Sequence, residues 1–284
     1  MVVVEINGGL GNQLFQYANG WAIAKKTQQE LVLDLSMFKY GCGREFQLDK
    51  LRVEPYKTKI YYTRRVNNKL LRVLIKGTEE VVKWLRIWKF VKIHDMNTFK
   101  VLDTDIDKNV YVKGHWISHK YFEVYENDIR SLFQLKEKSN NLNRFIKEVT
   151  NRNSVALHVR RGDYEKLGWC LPQNYYYKAV LKLEDVISEN KVFYIFSDDT
   201  EYAKKLFEQI LQKKQVVYVK DQFELDDIEE LFAISACKHQ IIANSTFSWW
   251  GAWLNSNLEK VVIAPKAKGW DYNRIPAEWE LIDY

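Results

Sequence analysis

Residues 155–164 read Val155-Ala156-Leu157-His158-Val159-Arg160-Arg161-Gly162-Asp163-Tyr164. The apolar run is that of a buried strand, and its end delivers two adjacent arginines, a glycine and a carboxylate into a loop. In an open α/β sheet, ligands bind outside the carboxyl ends of the strands. Each guanidinium there can fork two N–H donors onto phosphate oxygens, which points to a bound polyphosphate. Tandem arginines leaving a strand also occur as solvated surface, so the loop alone leaves both readings open.

Two further stretches follow the same plan. Near the start stands Val2-Val3-Val4-Glu5-Ile6-Asn7-Gly8-Gly9-Leu10-Gly11-Asn12-Gln13-Leu14-Phe15-Gln16-Tyr17-Ala18, a strand, a glycine-rich turn and the opening of a helix. Near the end stands Ile241-Ile242-Ala243-Asn244-Ser245-Thr246-Phe247-Ser248-Trp249-Trp250-Gly251-Ala252-Trp253-Leu254, a strand running into a hydroxyl-rich turn and an aromatic helix. Each puts small or polar groups at a strand's carboxyl end, where backbone N–H groups and a helix N-terminus attract anions. With Phe193-Tyr194-Ile195-Phe196-Ser197-Asp198-Asp199, these motifs closely resemble the family 11 alpha-1,2-fucosyltransferases, which transfer fucose from GDP-fucose to a galactoside. The resemblance covers both ends and the middle, touches His115-Trp116 and Lys120-Tyr121-Phe122, and is weak between about residues 50 and 110.

The chain has 284 residues, 46% apolar and 28% charged, the composition of a soluble globular protein long enough for two lobes with separate cores. It opens on a strand without a charged-then-apolar leader, and no run approaches the roughly 18 apolar residues of a membrane span. The expected location is therefore cytoplasmic. Three cysteines, Cys42, Cys170 and Cys237, show no metal-ligand spacing and read as thiols of a reducing compartment. The net charge of +6 is concentrated: residues 57–92 hold eleven Lys and Arg against Glu79 and Glu80, a balance of +9 that leaves −3 for the rest. One basic patch argues against nucleic-acid binding by the whole surface. It is compatible with peripheral contact on an inner membrane.

Apolar runs alternate with helix-period segments, which is the pattern of a doubly wound α/β protein. Strands are expected at 2–6, 31–35 and 110–112 in the first lobe, and at 154–159, 192–197, 215–219, 240–243 and 260–264 in the second. Residues 57–92 read as basic and helical, with Lys83, Arg86, Lys89 and Lys92 on one stripe. The tail from Trp270 to Tyr284 is expected to pack back across one lobe. The resemblance implies the GT-B architecture, two Rossmann-like lobes facing each other across a cleft. Its divisions would be an acceptor-side lobe over 1–140 with the basic insertion at about 57–92, and a GDP-fucose-binding lobe with the C-terminal tail over 141–284.

The glycine turn has a rival reading. Gly9 and Gly11 after a strand, with Asp34 ending the next strand, mimic a dinucleotide fingerprint, but Leu14 stands where the third glycine belongs. In the fucosyltransferase reading, Gly8, Gly9 and Gly11 let the backbone approach the donor and Asn12 lies close to the sugar and acceptor. Gln13 and Gln16 cap or line the turn.

Loss of a nucleoside diphosphate puts negative charge on its β-phosphate, which fixed cations or a metal must stabilise. Asp103, Asp105 and Asp107 look like a metal-binding triplet, although a hydrated turn suits their position before Lys108-Asn109. With Arg160 available for the β-phosphate, no metal and no resident cofactor are expected, GDP-fucose being a substrate. Arg161 either joins it or holds the loop through a carboxylate. Ser245, Thr246 and Ser248 offer donors to phosphate or cap a helix. Trp249, Trp250 and Trp253 recur at helical spacing as core. His158, Asn244 and Phe247, inside the matched motifs, are assigned to substrate binding with them. Glu230 stands where the resemblance places an aspartate and is the candidate acceptor for the guanine N–H edge. Asp198 and Asp199 orient the ribose or cap the following helix. Asp163 is the candidate base for the acceptor hydroxyl, or else an ion-pair partner of Arg161. The partners implied are GDP-fucose and a galactose-terminated, potentially lipid-linked glycan.

Overall fold

The computed structural model describes residues 1–39, 43–53, 57–59, 88–93, 109–187, 190–267 and 274–284. The chain forms two compact units, Met1–Lys136 and Glu137–Tyr284, each built on an all-parallel sheet with helical connections. This is the α/β plan of GT-B proteins, and the alternation of apolar runs with helical segments announces it.

In the first unit the strands are β1 (Val2–Glu5), β2 (Leu31–Asp34), β3 (Lys57–Lys59), β4 (Trp88–Ile93) and β5 (Asn109–Gly114), in the order β3-β2-β1-β5-β4. Helix α1 (Leu10–Thr27) connects β1 to β2, and Gln28 closes it in the left-handed conformation at φ 53°. Lys25 and Lys26 lie in its last turn, where cations favour the helix dipole. Its close approach to the sheet depends on Gly20, where a Cβ would stand 2.2 Å from Val4 Cγ2. Leu14 is buried in the core, and the close approach of helix to strand is made at Gly20 instead. The short α2 (Ser36–Lys39) and α3 (Glu126–Leu132) complete the α-helices described in this unit, which also has short 3-10 turns.

The basic segment departs from expectation where it is described. Lys57–Lys59 and Trp88–Ile93 are strands, not helix, and β4 pairs in parallel with β5 from Trp88 opposite Asn109 to Ile93 opposite Gly114. The sequence Trp-Lys-Phe-Val-Lys-Ile is rich in aromatic and β-branched residues, and β5 pairs with it along its whole length, leaving β4 as the edge of the sheet. Positions 89 and 92 therefore follow a strand's period of two, which breaks the three-residue stripe expected of a helix. Residues 60–87, with Lys83 and Arg86, and 94–108, with Asp103, Asp105 and Asp107, lie outside the described residues.

In the second unit the elements follow as α4 (Asn140–Thr150), β6 (Ser154–Val159), α5 (Gly162–Leu167), α6 (Gln173–Val186), β7 (Val192–Ser197), α7 (Thr200–Ile210) and β8 (Gln215–Tyr218). Then come α8 (Val219–Gln222), α9 (Asp227–Ala236), β9 (His239–Ile241), α10 (Thr246–Leu254), β10 (Val262–Pro265) and β11 (Glu280–Ile282). Strand order is β11-β10-β9-β6-β7-β8. Every residue of β6 and β7 is buried, as expected of central parallel strands covered on both faces. The tail packs back, and it also adds β11 as an unforeseen edge strand beside β10. Trp279 is buried against Trp249, whose indole N–H donates to the Arg274 carbonyl at 2.8 Å. Trp249, Trp250 and Trp253 are core, as their spacing indicates. Among the described residues, no helix is long and apolar enough to cross a membrane.

Candidate active site

The central strands of the second sheet set the site. At the carboxyl end of β6 the chain must leave the sheet and open α5, and Asp198 at the end of β7 receives it. Asp198 Oδ1 accepts the Arg161 backbone N–H at 2.8 Å, and its Oδ2 pairs with the Arg160 guanidinium at 3.0 Å. Gly162 is required between them. Its φ is +20°, and a Cβ there would meet Asp198 Oδ2 at 2.6 Å. One carboxylate thus fixes both the path of the loop and the direction of the first arginine.

The two arginines then diverge. Arg160 also donates to Asp163 Oδ1 at 2.6 Å, and its guanidinium lies 5.5 Å from the centre of the Tyr164 ring. Arg161 pairs with Glu165 at 2.7 Å and with Asp199 at 3.6 Å, and it packs 3.8 Å over the Tyr202 ring. Both arginines are thus held by two carboxylates each, and Arg161 by the Tyr202 ring as well. Asp163 pairs with Arg160, and its side chain is half exposed. Asp199 is the N-cap of α7, accepting the Tyr202 N–H at 3.0 Å, so of the acidic pair only Asp198 faces the arginine loop with both oxygens.

The hydroxyl-rich turn is tied to this loop through Tyr164, whose hydroxyl donates to the Asn244 carbonyl at 3.2 Å. Asn244 Nδ2 donates in turn to the Trp169 carbonyl at 2.9 Å, while its buried Oδ1 has no partner among the described residues. Ser245 caps α10 by accepting the Phe247 N–H at 3.3 Å. Thr246, at the first position of α10, is partly exposed. Ser248 departs from the donor role expected of it. It is fully buried, and its hydroxyl donates back to the Ala243 and Ser245 carbonyls at 3.4 and 3.3 Å, as interior helix serines commonly do.

Two buried titratable groups complete the second unit's constellation. His158 lies against the Phe247 ring at 5.7 Å between centroids, with its Nδ1 unpartnered among the described residues. Burial pushes it down to about 3, and Arg160 and Lys220 add to the shift, so the imidazole is neutral. Burial pushes the Glu230 carboxyl up to about 7; Asp227 and Asp198 raise it further, while Lys220 and Arg160 oppose them. Its Oε1 is buried without a hydrogen-bond partner among the described residues. A buried acceptor left unsatisfied costs about 1–3 kcal/mol, which a ligand donor would recover. Sequence reading gave no role to Tyr164, Tyr202 or Lys220, whose interactions with Asn244, Arg161 and His158 join segments far apart in the chain.

Gly9, Gly11 and Asn12 belong to the first unit. Gly9 is the N-cap of α1, in extended conformation and without a side-chain cap. Gln13 is buried and staples the turn, donating to the Gly8 and Glu45 carbonyls at 3.0 and 2.8 Å and accepting the Gln47 N–H at 3.1 Å. Gln16 accepts the Asn7 N–H at 2.9 Å, so both glutamines line the turn as expected. Asp34, the residue a dinucleotide enzyme would reserve for ribose, is buried and occupied by the Ser36 N–H, the Ser36 hydroxyl and the Tyr111 hydroxyl. The dinucleotide reading fails on that carboxylate.

The model of Glycosyl transferase family 11 matches residues 1–274. The chain belongs to this family. It is 34% identical to the O-antigen biosynthesis glycosyltransferase WbnK of Escherichia coli, over 92% of each chain. It is 30% identical to an alpha-1,2-colitosyltransferase of Escherichia coli, over 93% of this chain and 91% of that one. Among solved structures, the fucosyltransferase NodZ from Bradyrhizobium shares the fold, with a TM-score of 0.50 at 12% identity over 88% of this chain and 91% of that chain. NodZ, an alpha-1,6-fucosyltransferase, has also been crystallised with GDP. The family 11 member described here is thus a glycosyltransferase with two parallel-sheet units.

Proposed function

We propose that this family 11 glycosyltransferase moves L-fucose from GDP-fucose to the 2-hydroxyl of a terminal galactoside, with inversion and without a metal, in the synthesis of a surface glycan. The carrying observation is Arg160, held at the carboxyl end of β6 by Asp198, beside the turn that opens α10. A diphosphate reaching this loop exchanges with Asp163, the more exposed partner, for the two N–H donors of the guanidinium. Asp198 stays, because it also holds the loop's backbone. Arg160 then faces the β-phosphate oxygen on which charge develops as the fucosyl bond breaks. Asp163, released from its ion pair, becomes the carboxylate that accepts the proton of the attacking acceptor hydroxyl.

The second unit is read as the GDP-fucose-binding half. Glu230 Oε1, unsatisfied in the free protein, accepts the N–H edge of guanine, and His158, Phe247, Asn244, Ser245 and Thr246 line the nucleotide. In the first unit, read as the acceptor side, Gly9 and Gly11 admit close backbone approach and Asn12 hydrogen-bonds to the sugars. The alpha-1,2-colitosyltransferase relative favours a second reading, in which the linkage is kept and colitose replaces fucose.

The deciding assay measures transfer of labelled sugar from GDP-fucose to lactose or N-acetyllactosamine, with nucleotide-linked colitose and GDP-mannose in parallel and excess chelator in a matched set. Transfer from GDP-fucose that survives chelator supports the reading. Transfer only from the colitose donor replaces it with the second reading, and loss under chelator with rescue by manganese overturns metal independence. GDP binding without transfer from any donor makes the chain a binding protein.

A further inference from the structure

The arginine loop carries an aromatic side chain that the transfer chemistry above does not use. Trp169 follows α5, beyond Gly168, whose φ of +66° turns the chain back. Its backbone is fixed at both ends: the N–H donates to the Tyr164 carbonyl at 2.9 Å, and the carbonyl accepts from Asn244 Nδ2 at 2.9 Å. The indole meets the Tyr164 ring edge-on, 5.5 Å between centroids at 86°, yet the residue remains 50% exposed. Leu167, two positions earlier, is 52% exposed. The other face of Tyr164's contacts is Arg160, 5.5 Å away, so two steps of 5.5 Å keep the indole within about 11 Å of the guanidinium.

We propose that Trp169 is an acceptor-sugar platform, on which the apolar face of a β-galactoside stacks beside the phosphate-binding arginine. A galactopyranose carries its axial 4-hydroxyl on one face, which leaves axial C–H bonds as an apolar patch on the other. An indole presents a large rigid surface for such a patch with few torsions to freeze, and this one is already fixed by its backbone and by Tyr164. The position is where an acceptor must stand. Its hydroxyl attacks the anomeric carbon, which is one oxygen removed from the β-phosphate assigned to Arg160. The proposal rests on the transferase reading of the arginine loop and adds to it the place where that loop receives the acceptor.

The test uses protein labelled with 5-fluorotryptophan, which has ten fluorine signals for ten tryptophans; the Trp169 signal is the one lost in Trp169→Phe. Titration with lactose or N-acetyllactosamine, with GDP present, should shift that signal saturably. Trp169→Ala should raise the acceptor KM about tenfold, leaving GDP affinity and donor KM within a factor of two, and Trp169→Phe should recover most of the loss. No shift with either disaccharide overturns the platform. A parallel loss of GDP affinity in Trp169→Ala overturns it as well, because the indole then only props the loop. A rise confined to donor KM overturns it in favour of contact with the donor's own sugar. The titration needs no donor sugar, so it stands or falls separately from the question of fucose or colitose, and from whether Asp163 is the base.

Discussion

Arg160 is shared by two carboxylates in the free protein, and this sets what its variants should do. Arg160→Ala is expected to lower turnover about 10²-fold or more, the scale of losing one donor to a developing oxyanion. Arg160→Lys should recover little, since an ammonium cannot fork onto two oxygens, and full activity in the lysine variant would remove the bidentate role. Asp163→Asn separates its two proposed duties. Losing a competitor for the guanidinium should tighten GDP binding by calorimetry, while losing the base should lower turnover. Weaker GDP binding in that variant would show that Asp163 supports the arginine and does not yield to phosphate. Glu230 makes a prediction about pH. Its folded value, about 7, lies above the roughly 4.3 of an unfolded glutamate, so the folded state binds the proton more tightly. Its favourable contribution is present below the unfolded value and is lost as pH rises through about 7. Glu230→Gln lacks this loss, so denaturant unfolding should show it gaining on the wild type between about pH 4.3 and 7, by at most about 4 kcal/mol. His158 acts in the opposite direction, losing stability as pH falls from about 6.5 toward 3, but both proteins contain it and the comparison largely removes it. Glu230→Gln should also weaken GDP far more than IDP, which lacks the N2 amine. Equal loss for both would leave the carboxylate without a role in base recognition.

Two glycines of α1 show what a helix needs for its fold and what it holds for its site. Gly20→Ala drives a methyl into Val4, and the overpacking cost of about 1–3 kcal/mol exceeds the roughly 1 kcal/mol that alanine gains in a helix. A lower melting temperature is expected. Gly9 is already extended, at φ −73° and ψ 168°, and apart from its chain neighbours nothing among the described residues lies within 4 Å of a Cβ there. Gly9→Ala should therefore keep the melting temperature to within a few degrees and lower turnover, because a methyl blocks the approach of substrate to the backbone. Unchanged turnover would take Gly9 out of the site. The same elements show where sequence reading reaches and where it stops. Central strands such as β6 and β7 were legible because burial on both faces leaves an unbroken apolar run. Trp88–Ile93 was not, since six residues fit a helical stripe and a strand alike until β5 supplies the partner. β11 escaped for the same reason: three residues, Glu280–Ile282, become a strand only beside β10. At the site, Arg160, Asp198 and Glu230 were visible as charges at strand ends and on a helix. The separate partners of the two arginines were not, because Asp198, Asp199 and Tyr202, which help to select them, come from the end of β7 and from α7.

At the scale of the whole molecule, charge and chain order are at odds. The residues that bind Arg160 and Arg161 are four carboxylates, Asp163, Asp198, Glu165 and Asp199, so the two guanidiniums that are to meet a diphosphate already have their charge offset by their neighbours. The protein's positive excess lies elsewhere, in residues 57–92, with eleven Lys and Arg against two Glu. A concentration of that size acts on large anionic surfaces more than on one small substrate, whose recognition is local. The strands at Lys57–Lys59 and Trp88–Ile93 remove the single amphipathic helix once expected there, and with it the argument from a stripe of Lys83, Arg86, Lys89 and Lys92. The argument from charge survives, because each Lys or Arg near an anionic leaflet contributes about 1 kcal/mol whatever the backbone conformation. A lipid-linked acceptor would place the substrate of such an enzyme on that same surface. The expected outcome is flotation with anionic liposomes at low salt, reduced at high salt as screening shortens the range of the field. The variant with Arg64, Arg65, Lys69 and Arg72 all changed to glutamine should stay in the bottom fraction while transferring sugar to soluble lactose at the wild-type rate. Wild-type protein that fails to float, or a quadruple variant that floats as well as wild type, would leave the basic segment without a membrane role.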